Sequence, residues 1–356
     1  MAGDAAALTV DVAVVGAGPA GASAAIACAE VGLRVAVCEL RRFPRDRVGE
    51  TLHPGAEAVF ERLGVLERVS EAGFPRHAGI WVGSQDGQRF DPYGEDAGGP
   101  WRGFQAWRAQ LDSILLERAR ELGARVLQPC RALAPRVSDG RVTGLRTTAG
   151  DIAAGFVVDA GGPQQWLARR LGLAIRRRSP RLVARYGYLA GSRPVRDLAP
   201  AFLSDDAGWT WSARVRPGLY QWTRLNLAGP APVIDGVPAD LRGLESLRTA
   251  GADVSWRALC APAGQGYFAV GDAAAVLDPA ASHGVLRALL SGLLAGRLIA
   301  ACLDSGQRHG NSPDHYRAWL SDWVEHDVRR LSELYGAFPE PPAWLADCPL
   351  RGSPVA

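Results

Sequence analysis

The chain contains no lysine: all 40 of its basic residues, across 356 positions, are arginine. Any mechanism that needs a lysine side chain is therefore excluded. Charge of one sign is also scarce. The 37 acidic residues leave a net charge of only +3, too weak to argue for nucleic acid as a partner. No cysteine pair has the C-x-x-C form. Cys28, Cys38, Cys130, Cys260, Cys302 and Cys348 are scattered, which supports neither a zinc site nor a dithiol motif. The six histidines lack ligand spacing, so no metal is expected. A basic leader is missing too. The opening "MAGDAAALTVDVAVVG" reads as a first strand rather than a signal peptide, and a cytoplasmic protein with reduced thiols is expected. The best candidate for a membrane span, "VLRALLSGLLAGRLIAACL", carries Arg287 and Arg297. It is expected as a buried helix and not as a membrane span. No internal repeat is found.

What is present begins with "DVAVVGAGPAGASAAIACAEVGLRVAVCE". It reads as strand, glycine turn, helix and strand, with Gly32 stopping the helix. Gly16, Gly18 and Gly21 form G-x-G-x-x-G. The first makes the turn, the second lets the backbone approach a pyrophosphate, and the third lets helix and strand pack closely. Glu39 ends the second strand about 18 residues later, where a carboxylate accepts hydrogen bonds from ribose hydroxyls. Glutamate there favours NAD or FAD over NADP.

Further along, "AEAVFERLGVLERV" predicts one helix, and residues 73–103 show little regular period. "RAQLDSILLERARELGA" predicts a helix. "ALAPRV", "RVTGLRTT" and "IAAGFVVDA", joined by turn signals, predict an antiparallel meander ending at Asp159. Residues 176–255 hold an arginine cluster (Arg176, Arg177, Arg178, Arg181, Arg185), β-like runs and many tryptophans, and read as a second domain. The cluster reads as a solvated face or a docking surface. The helix "HYRAWLSDWVEHDVRRLSELYGAF" places Tyr316, Leu320, Trp323, Val328, Leu331 and Leu334 near one face, and "PEPPAW" reads as a loop.

"GYFAVGDAAAVLDPAASHGV" separates NAD from FAD. It resembles a second flavin fingerprint, in which the aspartate holds a ribityl hydroxyl. Together with the first motif it is similar to the glutathione-reductase-type FAD fold of group A flavin monooxygenases, geranylgeranyl reductases and flavin-dependent halogenases. The resemblance spans most of residues 10–305. It implies an α/β fold: a Rossmann-like FAD-binding domain with a β-meander, a mixed β-sheet substrate domain and a C-terminal helix. The expected FAD-binding domain is discontinuous (8–72, 104–175 and 256–305). The substrate domain takes 73–103 and 176–255, and a helical segment with a tail takes 306–356. The implied FAD contacts are Gly16, Gly18, Ala20, Gly21, Glu39, Arg47 in "RVGET", Arg108, Asp159, Gly271, Asp272, Pro279, Ser282, Gly284 and Val285.

The halogenase branch is resembled in scaffold only. "GWTW" at Gly208–Trp211 is followed by Ala213-Arg214 where halogenases have Ile-Pro. "FPRHAG" offers His77 where phenol-type halogenases carry the lysine that handles hypohalous acid. Ala281 stands where tryptophan halogenases keep a glutamate. What remains is similar to flavin monooxygenases that hydroxylate a tryptophan side chain during maturation of quinone cofactors. The resemblance implies hydroxylation of an electron-rich ring through a flavin C4a-hydroperoxide. The substrate is then aromatic, either a free molecule or a tryptophan in a partner polypeptide, with NAD(P)H or a separate flavin reductase as electron source. A prenyl reductase and a non-catalytic flavin-binding chaperone are the rival readings. His283, Glu50, His53 and His77 are the candidate proton handlers, with a structural hydrogen bond as the alternative role of His283.

Overall fold

The computed structural model describes residues 8–84, 87–193, 199–227, 236–304 and 312–348. The leader reading of residues 1–7 lies outside them. The first sheet is built around β1 (Leu8–Val15), which pairs in parallel with β2 (Val35–Cys38) on one side and with the strand Gly150–Asp159 on the other. These central strands are covered on both faces, so they read as near-continuous valine-rich runs. The expected meander is present: Ala132–Ser138, Arg141–Thr147 and Gly150–Asp159 run antiparallel. The last strand then leaves the meander. Its end, Val157–Asp159, pairs in parallel with Tyr267–Ala269. That pairing brings the second glycine-acid motif beside the first, although some 250 residues separate them in sequence.

Helix α1 (Pro19–Ala29) is buried along its whole length and consists almost entirely of small residues. It packs on α6 (Gly284–Asp304) through close backbone approach. A Cβ on Gly292 would sit 2.1 Å from the Ala20 carbonyl oxygen. By length and apolarity α6 would suit a membrane, but 56% of its most apolar window is buried within the protein.

A seven-stranded sheet has the strand order 245–253, 183–190, 219–226, 208–216, 201–205, 79–84 and 87–92. It thus joins the expected second region to residues 79–92. The latter form an antiparallel hairpin that the sequence did not announce. The outer strand, Gly87–Pro92, is exposed throughout, so no apolar alternation marks it.

Two further expectations are corrected. The single helix over residues 56–69 is two, α2 (Ala56–Arg62) and α3 (Leu66–Glu71). Gly64 between them has φ +67°, and the Val65 N–H donates to the Phe60 carbonyl, which ends α2 with a left-handed turn. Helix α4 (Arg108–Glu121) follows, and then the short α5 (Trp166–Leu171). The C-terminal helix α7 (Ser312–Gly336) buries Val324 and Tyr335 rather than Trp323 and Leu334. It also buries two carboxylates, Glu325 and Asp327. Glu325 pairs with Arg178, so one arginine of the cluster lies inside the fold while Arg176, Arg177 and Arg181 are exposed.

Candidate functional site

The glycine turn between β1 and α1 divides its labour. Gly16 has φ +94°, and a Cβ there would lie 2.5 Å from the Ala160 carbonyl oxygen. A Cβ on Gly21 would lie 1.9 Å from the Gly16 oxygen. Both glycines are demanded by the chain's own packing. Gly18, at the N-cap of α1, is not: the nearest atom to its would-be Cβ is Arg45 Nη2 at 3.5 Å. Ala20 turns toward α6, 3.0 Å from the would-be Cβ of Gly271, so its small size serves helix packing. Glu39 closes the turn. Its Oε2 accepts the Ala17 N–H and its Oε1 the Arg41 N–H, both at 2.9 Å.

Two arginines flank the turn. Arg108 opens α4 and donates Nε and Nη2 to the two oxygens of buried Asp112 (2.9 and 3.2 Å) and Nη1 to the Val48 carbonyl (2.7 Å). These bonds hold the 45–50 loop against α4. Arg45 is different. Its guanidinium lies over the Phe43 ring, 3.6 Å from Asp112 and 3.8 Å from Glu39, and its Nε and Nη1 are buried without a hydrogen-bond partner. The third guanidinium nitrogen, Nη2, faces the would-be Cβ of Gly18 at the N-terminus of α1, where it could meet an anion. Arg47, the arginine the sequence pointed to, has an exposed side chain, whereas Arg45, two residues earlier, lies against the turn.

The second strip follows Tyr267–Ala269. Gly271 has φ +57° and donates its N–H to Ser291 Oγ at 2.9 Å. The Asp272 side chain is 46% accessible, with Arg287 4.0 Å away. Burial of its surroundings nonetheless raises its pKa, against the pull of Arg287, Arg108 and Arg257. The carboxylate is therefore open to a ligand although Gly271 and Ala273 on either side of it are buried. Pro279 starts a short 3₁₀ turn capped by Asp278, and Ser282 ends it with φ +58°. Gly284 then opens α6 with no other part of the chain within 4 Å of its would-be Cβ. Val285 comes within 3.8 Å of the would-be Cβ of Gly49, which brings the strip to the 45–50 loop.

Asp159 needs correction as a cofactor contact. It is fully buried, and its two oxygens accept the Gly161 and Leu167 backbone N–H groups at 2.9 and 2.8 Å. Its carboxylate shapes the turn into α5 and is closed to any ligand.

The four candidate proton handlers fall into two places. Glu50 is buried, which raises its pKa. It accepts the Tyr188 hydroxyl and, at 2.9 Å, the Gly49 N–H. It joins the 45–50 loop to the large sheet near Trp107, whose ring meets Tyr188 edge-on. The three histidines line up elsewhere. Tyr93 lies between His77 (5.5 Å) and His53 (5.7 Å), and His53 meets His283 edge-on at 5.6 Å. Burial pushes His77 down to about 4, so it is neutral at neutral pH, with Nδ1 on the Gly79 carbonyl at 3.1 Å. Burial and neighbouring His283 lower the His53 pKa, and its Nδ1 accepts the Gly55 N–H at 3.0 Å. His283 Nδ1 lies 3.0 Å from Asp327 of α7. Asp327 and Tyr93 were not singled out in the sequence, since each sits in a stretch without a motif. Among the described residues, no cluster of three His, Cys, Asp or Glu side chains could hold a metal ion.

Comparison with known proteins decides the family. The profile described as "FAD binding domain" matches residues 9–201, more than half the chain. The chain belongs to this FAD-binding family. A similar relative is the 1H-pyrrole-2-carbonyl-[peptidyl-carrier protein] chlorinase of Pseudomonas fluorescens, 27% identical over 95% of this chain and 87% of the relative. Menaquinone reductase of Mycobacterium tuberculosis is 30% identical over 83% of this chain and 77% of its own. Among solved structures, the flavin-dependent brominase Bmp2 has the same fold, with a TM-score of 0.80 at 24% identity over 92% of this chain and 88% of that one.

This member of the family is thus an FAD-dependent oxidoreductase. Its residues fit the cofactor. The open face at Gly18, the Arg45 Nη2 beside it and the accessible Asp272 suit, respectively, a diphosphate's approach, its charge and a hydroxylated chain. Trp209, Trp222 and Trp256 belong to the core, whereas Trp107 and Trp211 are only half-buried.

Proposed function

We propose that this flavoprotein hydroxylates an electron-rich aromatic ring, with a tryptophan side chain in a partner polypeptide as the preferred substrate. One observation carries the reading: the chain has no lysine, and His77, neutral and bonded to Gly79, follows Phe74-Pro75-Arg76 at the motif position where the halogenase resemblance implies one. A curated relative's name describes a pyrrole ring carried on a protein, which supports an aromatic ring presented by a partner.

The turn at Gly16–Gly21 with Arg45, and the strip from Gly271 to Val285 with Asp272, would hold FAD. When bound, FAD supplies the two-electron chemistry that lets one oxygen atom of O₂ reach a ring carbon. NAD(P)H or a separate flavin reductase would supply the electrons. In this reading 8–72, 104–175 and 256–305 form the FAD unit, and 73–103 with 176–255 the substrate unit. Tyr188 of the substrate unit and the half-buried Trp107 of the FAD unit pack with Val48, where they would keep water from the ring. Glu50, His53 and His283 hold or move protons.

The test is mass spectrometry of a tryptophan-bearing polypeptide encoded beside this gene, after incubation with the holoenzyme, a reductant and labelled O₂. Gain of one labelled oxygen on tryptophan is expected. A strict requirement for chloride or bromide overturns the reading. The similarity to menaquinone reductase favours a second one, reduction of a prenyl substrate. Turnover of such a substrate without oxygen would select it.

A further inference from the structure

Asp327 lies on α7, outside the stretch matched by the FAD-binding family. Its side chain is 1% exposed, yet three donors converge on it. His283 Nδ1 faces Oδ1 at 3.0 Å. Oδ2 accepts the Trp323 indole N–H at 3.0 Å and Arg287 Nη1 at 3.3 Å. Arg287 also donates Nη2 to the Ala275 carbonyl at 3.2 Å and reaches to 4.0 Å from Asp272. A row of groups thus runs from His283 through Asp327 and Arg287 to the acid of the second FAD strip.

A carboxylate against one ring nitrogen makes that nitrogen the protonated one in neutral imidazole. Nδ1–H then donates to Asp327, and Nε2 keeps its lone pair. Arg287 balances the Asp327 charge, so His283 meets an oriented acceptor and not an uncompensated buried anion. The ring is held on its other sides. The His283 carbonyl accepts the Arg287 N–H at 2.7 Å, and Trp323 and His53 meet the ring edge-on at 6.2 and 5.6 Å. The other charged or titratable groups nearby are His53, Arg287 and, beside His53, Arg330. The His283 side chain keeps 18% of its surface accessible while Asp327 keeps almost none, so the histidine is the member of the pair that can touch a substrate.

We propose that Asp327 is a positioning residue that fixes His283 in the Nδ1–H tautomer, so that Nε2 accepts the proton an aromatic substrate ring loses on hydroxylation. The inference rests on the hydroxylation reading above. One oxygen atom of O₂ would add to a ring carbon as hydroxyl and the other would leave as water, with O₂ as oxidant and the reduced flavin supplying two electrons and two protons. The C–H bond then breaks, its electron pair returns to the ring, and the proton passes to Nε2. The imidazolium so formed stays bonded to Asp327 until it releases the proton to solvent.

The experiment is histidine-selective ¹⁵N NMR of the holoenzyme, with His283→Gln assigning the signal. Wild type is expected to show the Nδ1–H tautomer. In Asp327→Asn, Arg287 and Trp323 still demand an acceptor at Oδ2, so the amide nitrogen turns to His283 and donates to Nδ1, which forces Nε2–H. With the tryptophan-bearing polypeptide as probe, kcat is expected to fall on the order of 100-fold in both variants, with KM and flavin absorbance little changed. An Nε2–H tautomer in wild type, or Asp327→Asn retaining Nδ1–H, overturns the positioning role. Full kcat in Asp327→Asn or His283→Gln overturns the proton-acceptor role alone. A wild type that shows Nδ1–H but never oxidises the probe overturns the hydroxylation reading and the acceptor role with it, while the positioning role stands.

Discussion

Trp256 donates its indole N–H to Asp278 across 2.6 Å, deep inside the fold. The bond ties the start of the strand Arg257–Leu259 to the bend of the second FAD strip, and Tyr335 of α7 shares the same carboxylate. Burial raises Asp278 to about 6, with the Trp256 and Tyr335 bonds opposing it. Trp256→Phe keeps most of the ring but leaves a buried acceptor short of one donor. A loss of about 1–3 kcal/mol is expected in urea unfolding, with weaker FAD retention. A variant as stable as wild type would show the bond to be energetically neutral.

His77 gives acid sensitivity of a defined sign. Burial holds it at about 4, against 6.5 for a free imidazole. Between those values the unfolded chain binds the extra proton, so stability present above pH 6.5 is lost as pH falls toward 4. Asp278 acts oppositely between 3.8 and about 6, because there the folded state binds the proton. The two flatten the total curve, but comparison with His77→Asn separates them. The variant is expected to lose less stability than wild type over this range, by roughly 2–3 kcal/mol. Parallel curves from chemical denaturation would contradict this.

The glycine turn predicts a split between folding and binding. Gly21→Ala drives a methyl to 1.9 Å from the Gly16 oxygen and is expected to destabilise the apoprotein strongly. Gly18→Ala meets no atom of the chain nearer than 3.5 Å, so the apoprotein should melt close to wild type while its affinity for FAD falls. Melting curves and FAD titration of the two apoproteins decide it. A Gly18→Ala protein with wild-type affinity would remove Gly18 from the cofactor site.

Arg45 and Arg108 should behave as opposites. Arg45→Met removes buried donors that make no hydrogen bond and only long contacts of 3.6 and 3.8 Å to Asp112 and Glu39. The apoprotein is expected to keep or gain stability while FAD binds at least about tenfold more weakly. Arg108→Met breaks three bonds to Asp112 and Val48, so the apoprotein itself should weaken. The reverse pattern in melting and titration would exchange their roles.

Much of the fold was legible because period and glycine spacing report on backbone geometry. The βαβ start, the meander and the strand at Tyr267 leave marks in local sequence. The hairpin at Gly79–Pro92 left none, because its outer strand is exposed on both faces. Within the site, motif residues such as Gly18 and Asp272 could be named in advance. Arg45, Tyr93 and Asp327 could not. Their partners come from distant segments, and nothing local distinguishes Arg45 from Arg47, or Asp327 from any acid on an amphipathic helix.

The packing of α1 on α6 has a kinetic consequence. Ser23 hydrogen-bonds the Leu289 carbonyl across 266 positions, and Gly296 admits Ala27 and Cys28 on the same seam. Once made, α1 therefore waits for α6, whose Leu289 follows Ser23 by 266 positions, before its second face is covered. Until then a small apolar surface stands open on the nascent chain. Chains arrested before residue 284 should be the species that chaperones hold, and closure of this one seam should pace folding.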